Sequence, residues 1–454
     1  MKGFKRYERY KDSGVEWIGE IPEHWKTTRL KYLKKSPFMY GANESAELDN
    51  PNLPRFIRIT DIDFNGNLKE ETFKSLPLEL AEPYLLEEGD ILFARSGASV
   101  GKTFIYERKW GPACFAGYLI RFQTDESKAI PKFIYYFCQT SIYEDWIKEN
   151  TIQSTIQNVS AEKYSSLILP VPPLNTQNII VNYLDQKTAE IDSLIADKEK
   201  LIELLQEQRQ AIITQAVTKG LDPNVPMKDS GVEWIGEIPE HWEVTKIKYV
   251  SRINHHALSE DCDDDFEIQY IDIGGVDSNG QIIEIKKMRF GDAPSRARRI
   301  VKDGDTIVST VRTYLKAITW VEKADDNLIC STGFAVLSPT KLINPQYLLF
   351  LMRSTQYIDE IVSRSVGVSY PAINSRDIGK IECLLPPYKE QKYIVDYINK
   401  KGKPLTDLID CINEQILKLK EYRQSLITAA VTGKIDVRDY FNEGEEKEEQ
   451  EEVS

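Results

Sequence analysis

The chain has 454 residues, 41% of them hydrophobic and 10% aromatic, enough material for the cores of two or three domains. No apolar run approaches the roughly 20 residues of a helical membrane span, and no apolar leader follows the basic start at Lys2, Lys5 and Arg6, so a soluble, cytoplasmic protein with no membrane partner is expected. The net charge of −13 is concentrated at the end, where seven glutamates between Glu443 and Glu452 face only Lys447. Such a block reads as solvated and disordered. The remaining body is mildly acidic, which argues against a protein that binds nucleic acid unaided. A binder that shares the phosphate charge with basic partners escapes that objection. The six cysteines include no CxxC pair and read as reduced thiols with no zinc spacing.

The chain opens on a lead-in, residues 1–25, that contains a fifteen-letter segment from Lys11 to Trp25. The same letters return from Lys228 to Trp242. With Trp and Ile flanking a proline (Pro22, Pro239), the segment reads as an extended piece that buries against a domain edge.

Residues 26–171 form a first mixed module. Phe56–Ile59, Ile91–Ala94 and Lys102–Tyr106 have strand composition, the second entered through the turn Gly89-Asp90. Residues 132–148 show helical spacing after Pro131. Residues 243–385 repeat the plan loosely. Gly304-Asp305 answers Gly89-Asp90, Cys330 and Gly333 answer Cys114 and Gly117, Pro345 answers Pro131, and Asn374 answers Asn158. The landmarks persist while the polar residues between them differ.

After each module comes a long helix entered through a Pro-Pro step, residues 172–220 and 386–434. An offset of 214 superposes them: Pro172 on Pro386, Gln177 on Gln391, Arg209 on Arg423. Apolar residues alternate at four- and three-residue steps from Leu184 through Ile191, Ile195 and Leu205 to Ala216, and from Ile398 through Ile409, Ile412 and Ile416 to Ala430. That is a coiled-coil seam. Gly402 and Pro404 interrupt the second copy, where a kink or a fresh helical start is expected. A linker and the second lead-in occupy residues 221–242, and an acidic disordered tail residues 435–454. If an internal two-fold relates the halves, the helices run antiparallel and the tail returns beside the N-terminus. At 1.5 Å per residue, about 45 helical residues span roughly 65–70 Å.

Three motifs suggest chemistry and fail. Gly97-Ala98-Ser99-Val100-Gly101-Lys102-Thr103 has three residues between its glycines where a phosphate-binding P-loop has four. It reads better as a DNA-facing turn. Asn344-Pro345-Gln346-Tyr347 resembles a methyltransferase tetrapeptide but lacks its second proline, and its counterpart at Ile130-Pro131 is a helix start. His255-His256 and the aspartates 261 and 263–265 have no metal-ligand spacing. No catalytic constellation repeats between the modules, so no enzymatic activity, cofactor or metal is expected in this chain.

The two Pro-Pro-x-x-x-Gln entries, the helix endings Ala216-Val217-Thr218 and Ala430-Val431-Thr432, the Gly-Asp strands and the repeated lead-ins together resemble the specificity subunit of Type I restriction–modification enzymes. The likeness covers nearly the whole chain except the acidic tail and lies in the repeated order, not in a single motif. It implies an α+β fold: two target-recognition domains separated by two long antiparallel coiled-coil helices, in an internal pseudo-two-fold repeat. Each domain would read one half of a bipartite double-stranded DNA target. The helices would set the gap and dock two modification (methyltransferase) subunits, with restriction endonuclease subunits joining. S-adenosylmethionine, ATP and Mg would belong to those partners. Base reading needs forked donors and acceptors, and the candidates in the first module are Arg58, Thr60, Arg95, Ser96, Lys102, Gln153, Ser154, Gln157 and Asn158. In the second they are Tyr270, Arg312, Tyr314, Lys316, Arg364, Ser369, Tyr370, Asn374 and Arg376, with Arg296, Arg298 and Arg299 as candidate phosphate contacts. The rival readings are a two-armed scaffold that does not bind DNA and, behind it, a nucleotide hydrolase using the Gly97–Thr103 loop.

Overall fold

The computed structural model describes residues 4–63, 66–151, 158–259, 261–367 and 370–440. The chain divides into two compact units, one of residues 1–197 and 414–454, the other of residues 198–413. Each unit contains one lead-in, one mixed module, the first part of the long helix that leaves that module and the last part of the other long helix.

In the first unit the lead-in is a hairpin, Tyr10–Asp12 against Glu20–Pro22. Behind it Ile18, Ile21 and Trp25 are buried. The module's first and last strands, Lys26–Arg29 and Ile168–Val171, pair antiparallel. Between them lies a four-stranded sheet in the order Met39–Tyr40, Leu119–Phe122, Ile91–Ala94, Thr103–Ile105. Beside it Arg55–Ile57 runs parallel to Ala113–Phe115. The expected single helix at residues 132–148 is two, Pro131–Phe137 and Ser141–Thr151. Thr140 causes the break: its hydroxyl donates back to the Phe137 carbonyl and accepts from the Tyr143 amide, closing one helix and opening the next.

The second unit repeats this frame. Its lead-in hairpin pairs Met227–Asp229 with Glu237–Pro239, and Glu243–Lys246 pairs with Glu382–Leu385. Its central sheet has the corresponding order, Ser251–Ile253, Phe334–Pro339, Thr306–Ser309, Ile318–Trp320. The Gly-Asp turns are equivalent atom for atom. Gly89 and Gly304 both have φ +83°, and the aspartates accept from the amides of Glu87 (3.0 Å) and Lys302 (2.9 Å). Two other equivalences need correction. Cys330 pairs beside Ile271 as Phe115 pairs beside Ile57, so Cys330 answers Phe115 and not Cys114. A one-residue slip in a strand puts the side chain on the opposite face, and the two cysteines lie in different core clusters. By the same ladders Gly333 answers Tyr118: the Thr310 amide donates to Gly333 and the Arg95 amide to Tyr118.

The first long helix is Leu174–Lys219 and the second Tyr388–Val431. Every position of the seam read from the sequence is buried or half-buried in both helices, and the residues between are mostly exposed. In the first unit Asp192 pairs with Arg423, and Tyr183 packs on Tyr440. The second helix does not restart at Pro404. It passes through the proline without interruption, at a point where Pro404 and Lys400 are exposed.

The helix entries explain the repeated glutamine. Gln177 is fully buried; its amide accepts from the Ile130 N–H at 2.8 Å and donates to the Pro172 carbonyl at 2.8 Å. Gln391 does the same with Asn344 (2.7 Å) and Pro386 (2.9 Å). Each therefore locks the start of a long helix to the loop that opens the module's own helix. The helix ends use the same two letters in exchanged order, Lys219-Gly220 and Gly433-Lys434. Gly220 and Gly433 both have left-handed φ, and Lys219 and Lys434 donate to the carbonyls of Glu237 and Glu20 in the lead-in hairpins. Residues 435–440 do not belong with the acidic tail: Ile435 and Val437 are buried, and the Asp436 amide donates to Lys5 at 2.9 Å. The glutamate block itself lies outside the described residues.

Candidate nucleic-acid interface

In each module the loop that leaves the buried central strand runs beside the segment that follows the helical pair. In the first, the Val159 amide donates to the Arg95 carbonyl at 2.8 Å, and Ser96 bridges to Asn158. The turn is supported from beneath, since the Tyr143 hydroxyl donates to the Gly101 carbonyl at 2.8 Å. A Cβ on Gly101 would stand 2.8 Å from Ile147. In the second, Ile373 donates to Thr310, Val311 bridges to Ala372, and the Arg312 amide donates to Pro371 at 2.7 Å. Here Arg312 and Lys316 adopt left-handed φ of 51° and 56°, a conformation costing about 1 kcal/mol for a residue with a side chain. Backbone strain of this kind collects at functional loops.

These ladders sort the candidates. Arg95, Ser96, Lys102 and Asn158 belong to one loop pair, and Lys102 and Asn158 are exposed. Arg312, Tyr314, Lys316, Tyr370, Asn374 and Arg376 belong to the corresponding pair. Asn374 answers Ser160 rather than Asn158, and Ala372 answers Asn158. Ser160 and Asn374 are both helix N-caps, accepting from the amides of Lys163 and Arg376. The carbonyl oxygen of Asn374 is thereby engaged at the cap, leaving its amino group and the exposed Arg376 side chain outward.

Four candidates are engaged within the protein instead. Tyr270 is 2% exposed, its ring in the module core and its hydroxyl on Asp272. Alternation along its strand puts Tyr270 on the same face as the buried Ile268, the face that packs into that core. Arg58 is held by Asp61 at 3.0 and 2.7 Å and by the Thr72 carbonyl. Arg364 is held by Glu360 at 2.6 Å, with Glu382 nearby. Thr60 sits in the short turn beside Asp61, its hydroxyl 3.4 Å from that carboxylate. Among the arginines read as phosphate contacts, Arg296 is exposed, Arg298 lies over Phe290 at 4.7 Å, and the Nε of Arg299 is buried without a hydrogen-bond partner among the described residues. Gln153, Ser154, Gln157 and Ser369 lie outside the described residues.

Sequence reasoning missed Tyr40 and Tyr118, 41% and 68% exposed, which flank Arg95: its guanidinium lies over the Tyr40 ring at 4.8 Å, and its amide donates to the Tyr118 carbonyl. The available signal was an aromatic beside a glycine. A Cβ on Gly41 would stand 2.3 Å from the Phe115 carbonyl and one on Gly117 2.0 Å from Asn43, so both glycines serve close approach.

The motifs that suggested chemistry have structural explanations. Gly97–Thr103 leads into the strand Thr103–Ile105, whereas a P-loop leads into a helix N-terminus. Asn344 caps the helix Pro345–Arg353 by accepting from the amides of Gln346 and Tyr347. Among the described residues no group of three His, Cys, Asp or Glu is placed to hold a metal ion, and no helix is long and apolar enough to cross a membrane.

A family model described as "Type I restriction modification DNA specificity domain" matches residues 22–204 and 239–418. The MjaVIII specificity subunit of Methanocaldococcus jannaschii is 24% identical over 442 residues, covering 92% of this chain and 94% of that one. The EcoBI specificity subunit of Escherichia coli is 24% identical over 410 residues, covering 87% and 83%. A solved structure from work on complex assembly and conformational transition of the type I R-M system covers 90% of this chain and 98% of its own, with a TM-score of 0.64 and 15% identity, and so shares the fold. Two matches of one domain model, placed on two modules of one frame, show that this chain belongs to the Type I restriction–modification DNA specificity family.

Proposed function

We propose that this chain is the non-catalytic, DNA-reading specificity subunit of a Type I restriction–modification complex, each module reading one half of a bipartite duplex target. The observation that carries this is the pairing of a common frame with unlike loops. The central sheet order, Gly-Asp turns and glutamine locks repeat, while the positions held by Arg95-Ser96-Gly97-Ala98-Ser99 in one module are held by Thr310-Val311-Arg312-Thr313-Tyr314 in the other. Base recognition requires that combination, because side chains distinguish bases only when a rigid element holds them at the groove. The long helices act as an antiparallel coiled-coil spacer that fixes the gap between half-sites and docks two methyltransferase subunits, with endonuclease subunits completing the restriction assembly. S-adenosylmethionine, ATP and Mg work on those partners in the cytoplasm. A scaffold without DNA would need the repeated frame but not the divergent loops.

The test is an exchange of residues 26–171 for the module of a relative, followed by sequencing of the methylated sites in a host carrying the intact system. One half of the motif should change and the other should stay. A motif unchanged in both halves would sink the proposal.

A further inference from the structure

Each module holds one guanidinium of its loop pair over a tyrosine ring. Arg95 lies over Tyr40 at 4.8 Å and Arg312 over Tyr370 at 4.7 Å. Both stacks are at the surface, Tyr40 being 41% and Tyr370 65% exposed. Neither arginine has a side-chain hydrogen bond or ion-pair partner among the described residues, and the Nε of Arg95 is buried without one. Arg58 and Arg364, by contrast, are neutralised by Asp61 and Glu360. The tyrosines come from unlike places, Tyr40 from the end of the edge strand Met39–Tyr40 and Tyr370 from the segment after the helical pair. The internal repeat alone therefore does not account for the likeness.

A guanidinium is planar, weakly hydrated and suited to lying on an aromatic face. Stacking fixes the plane of the fork and its stem while the terminal N–H groups remain able to donate. The side-chain freedom lost on binding is then smaller. A fixed, unneutralised pair of coplanar donors matches the O6 and N7 acceptors of guanine in the major groove. We propose that Tyr40 and Tyr370 are positioning residues that present Arg95 and Arg312 as guanine-reading forks, so that each half of the split target contains one G·C pair read by a stacked arginine. The inference rests on the DNA-reading function proposed above.

The test uses the full chain assembled with its methyltransferase subunits and reads the methylated motif by sequencing. The wild-type motif should carry a G·C pair in each half. Arg95→Ala and Arg95→Lys should each lower the preference for one guanine about tenfold or more, leaving the other half intact, and Arg312→Ala and Arg312→Lys should do the converse. Tyr40→Ala and Tyr370→Ala should relax those same positions, while Tyr40→Phe and Tyr370→Phe, which keep the ring, should retain them. The untouched half reports that the variant is folded. Where an alanine variant does not assemble, the lysine and phenylalanine variants decide. Tyrosine variants that lower methylation at all sites evenly with an unchanged motif would overturn the proposal, as would a half-site with no G·C pair, and the DNA-reading function would stand in either case. A wild-type motif that is not bipartite defeats that function itself.

Discussion

Arg423 closes a two-pronged ion pair on Asp192, at 2.9 and 3.2 Å, and a third donor reaches Gln139 at 3.3 Å. One polar position of the helical seam thereby ties two helix segments and the module's own helical pair together in the first unit. The equivalent position in the second unit is Arg209, and the residue answering Asp192 is Thr406. Arg209 has no acidic partner among the described residues. Burial, with Arg209 nearby, holds the Arg353 guanidinium down to about 10. The same letter therefore stabilises one unit and repels a neighbour in the other.

Arg423→Met should lower stability by about 1–2 kcal/mol, the range for a partly exposed charge-assisted pair. Arg209→Met should be neutral or stabilising, since it removes a like charge from Arg353. Urea midpoints of the two purified variants check this, and equal losses would show that the pairing is irrelevant.

The buried glutamines should be costlier. Gln177→Leu keeps the bulk but leaves the Ile130 amide and the Pro172 carbonyl without partners. A loss of about 2–4 kcal/mol follows from two unsatisfied buried groups, and Gln391→Leu should match it. Thermal unfolding of each variant measures the effect.

Pro404→Ala should stabilise. It restores an amide donor to the Lys400 carbonyl within an uninterrupted helix and replaces the poorest helix former with the best, a gain of up to about 3 kcal/mol. Calorimetry should show a higher melting temperature with helix content kept.

Asp305 gives a pH signature. Burial, the largest influence, raises its carboxyl above the usual range despite Ser338 and the Lys302 amide. A raised carboxyl favours the fold below the ordinary carboxylate range, and that advantage is lost as pH rises through the folded value. Asp305→Asn keeps an acceptor for the Lys302 amide and never ionises. The variant should match the wild type near pH 3 and exceed it at pH 7, in urea titrations at both values.

The spacer makes a separate claim. Four residues inserted within residues 190–205 of the first helix add roughly 6 Å. The gap in the methylated motif should change while the letters of both halves persist.

Much of this was legible in the chain. The seam is visible because burial of one helix face demands an apolar repeat, and the helix entries because proline and glutamine recur at fixed spacing. The Gly-Asp turns were legible because a left-handed residue before a buried strand calls for glycine. The strand equivalences were not. Cys114 and Cys330 look matched by letter, yet a ladder offset by one residue places them on opposite faces. Pro404 suggested a fresh start that the helix does not make, because the cost of one helical proline can be outweighed by the rest of a 44-residue helix.

For the interface the division is sharper. Sequence determined that two modules share a frame and differ in their loops, because frame residues answer to burial and turn geometry, which leave a repeat. It could not tell Arg58 and Arg364 from Arg95 and Arg312. The acids stand close by in the chain, Asp61 three residues after Arg58 and Glu360 four before Arg364, and only the tertiary structure decided that they close on those arginines. The rings over Arg95 and Arg312 come from Tyr40 and Tyr370, far along the chain, and so leave no periodic trace.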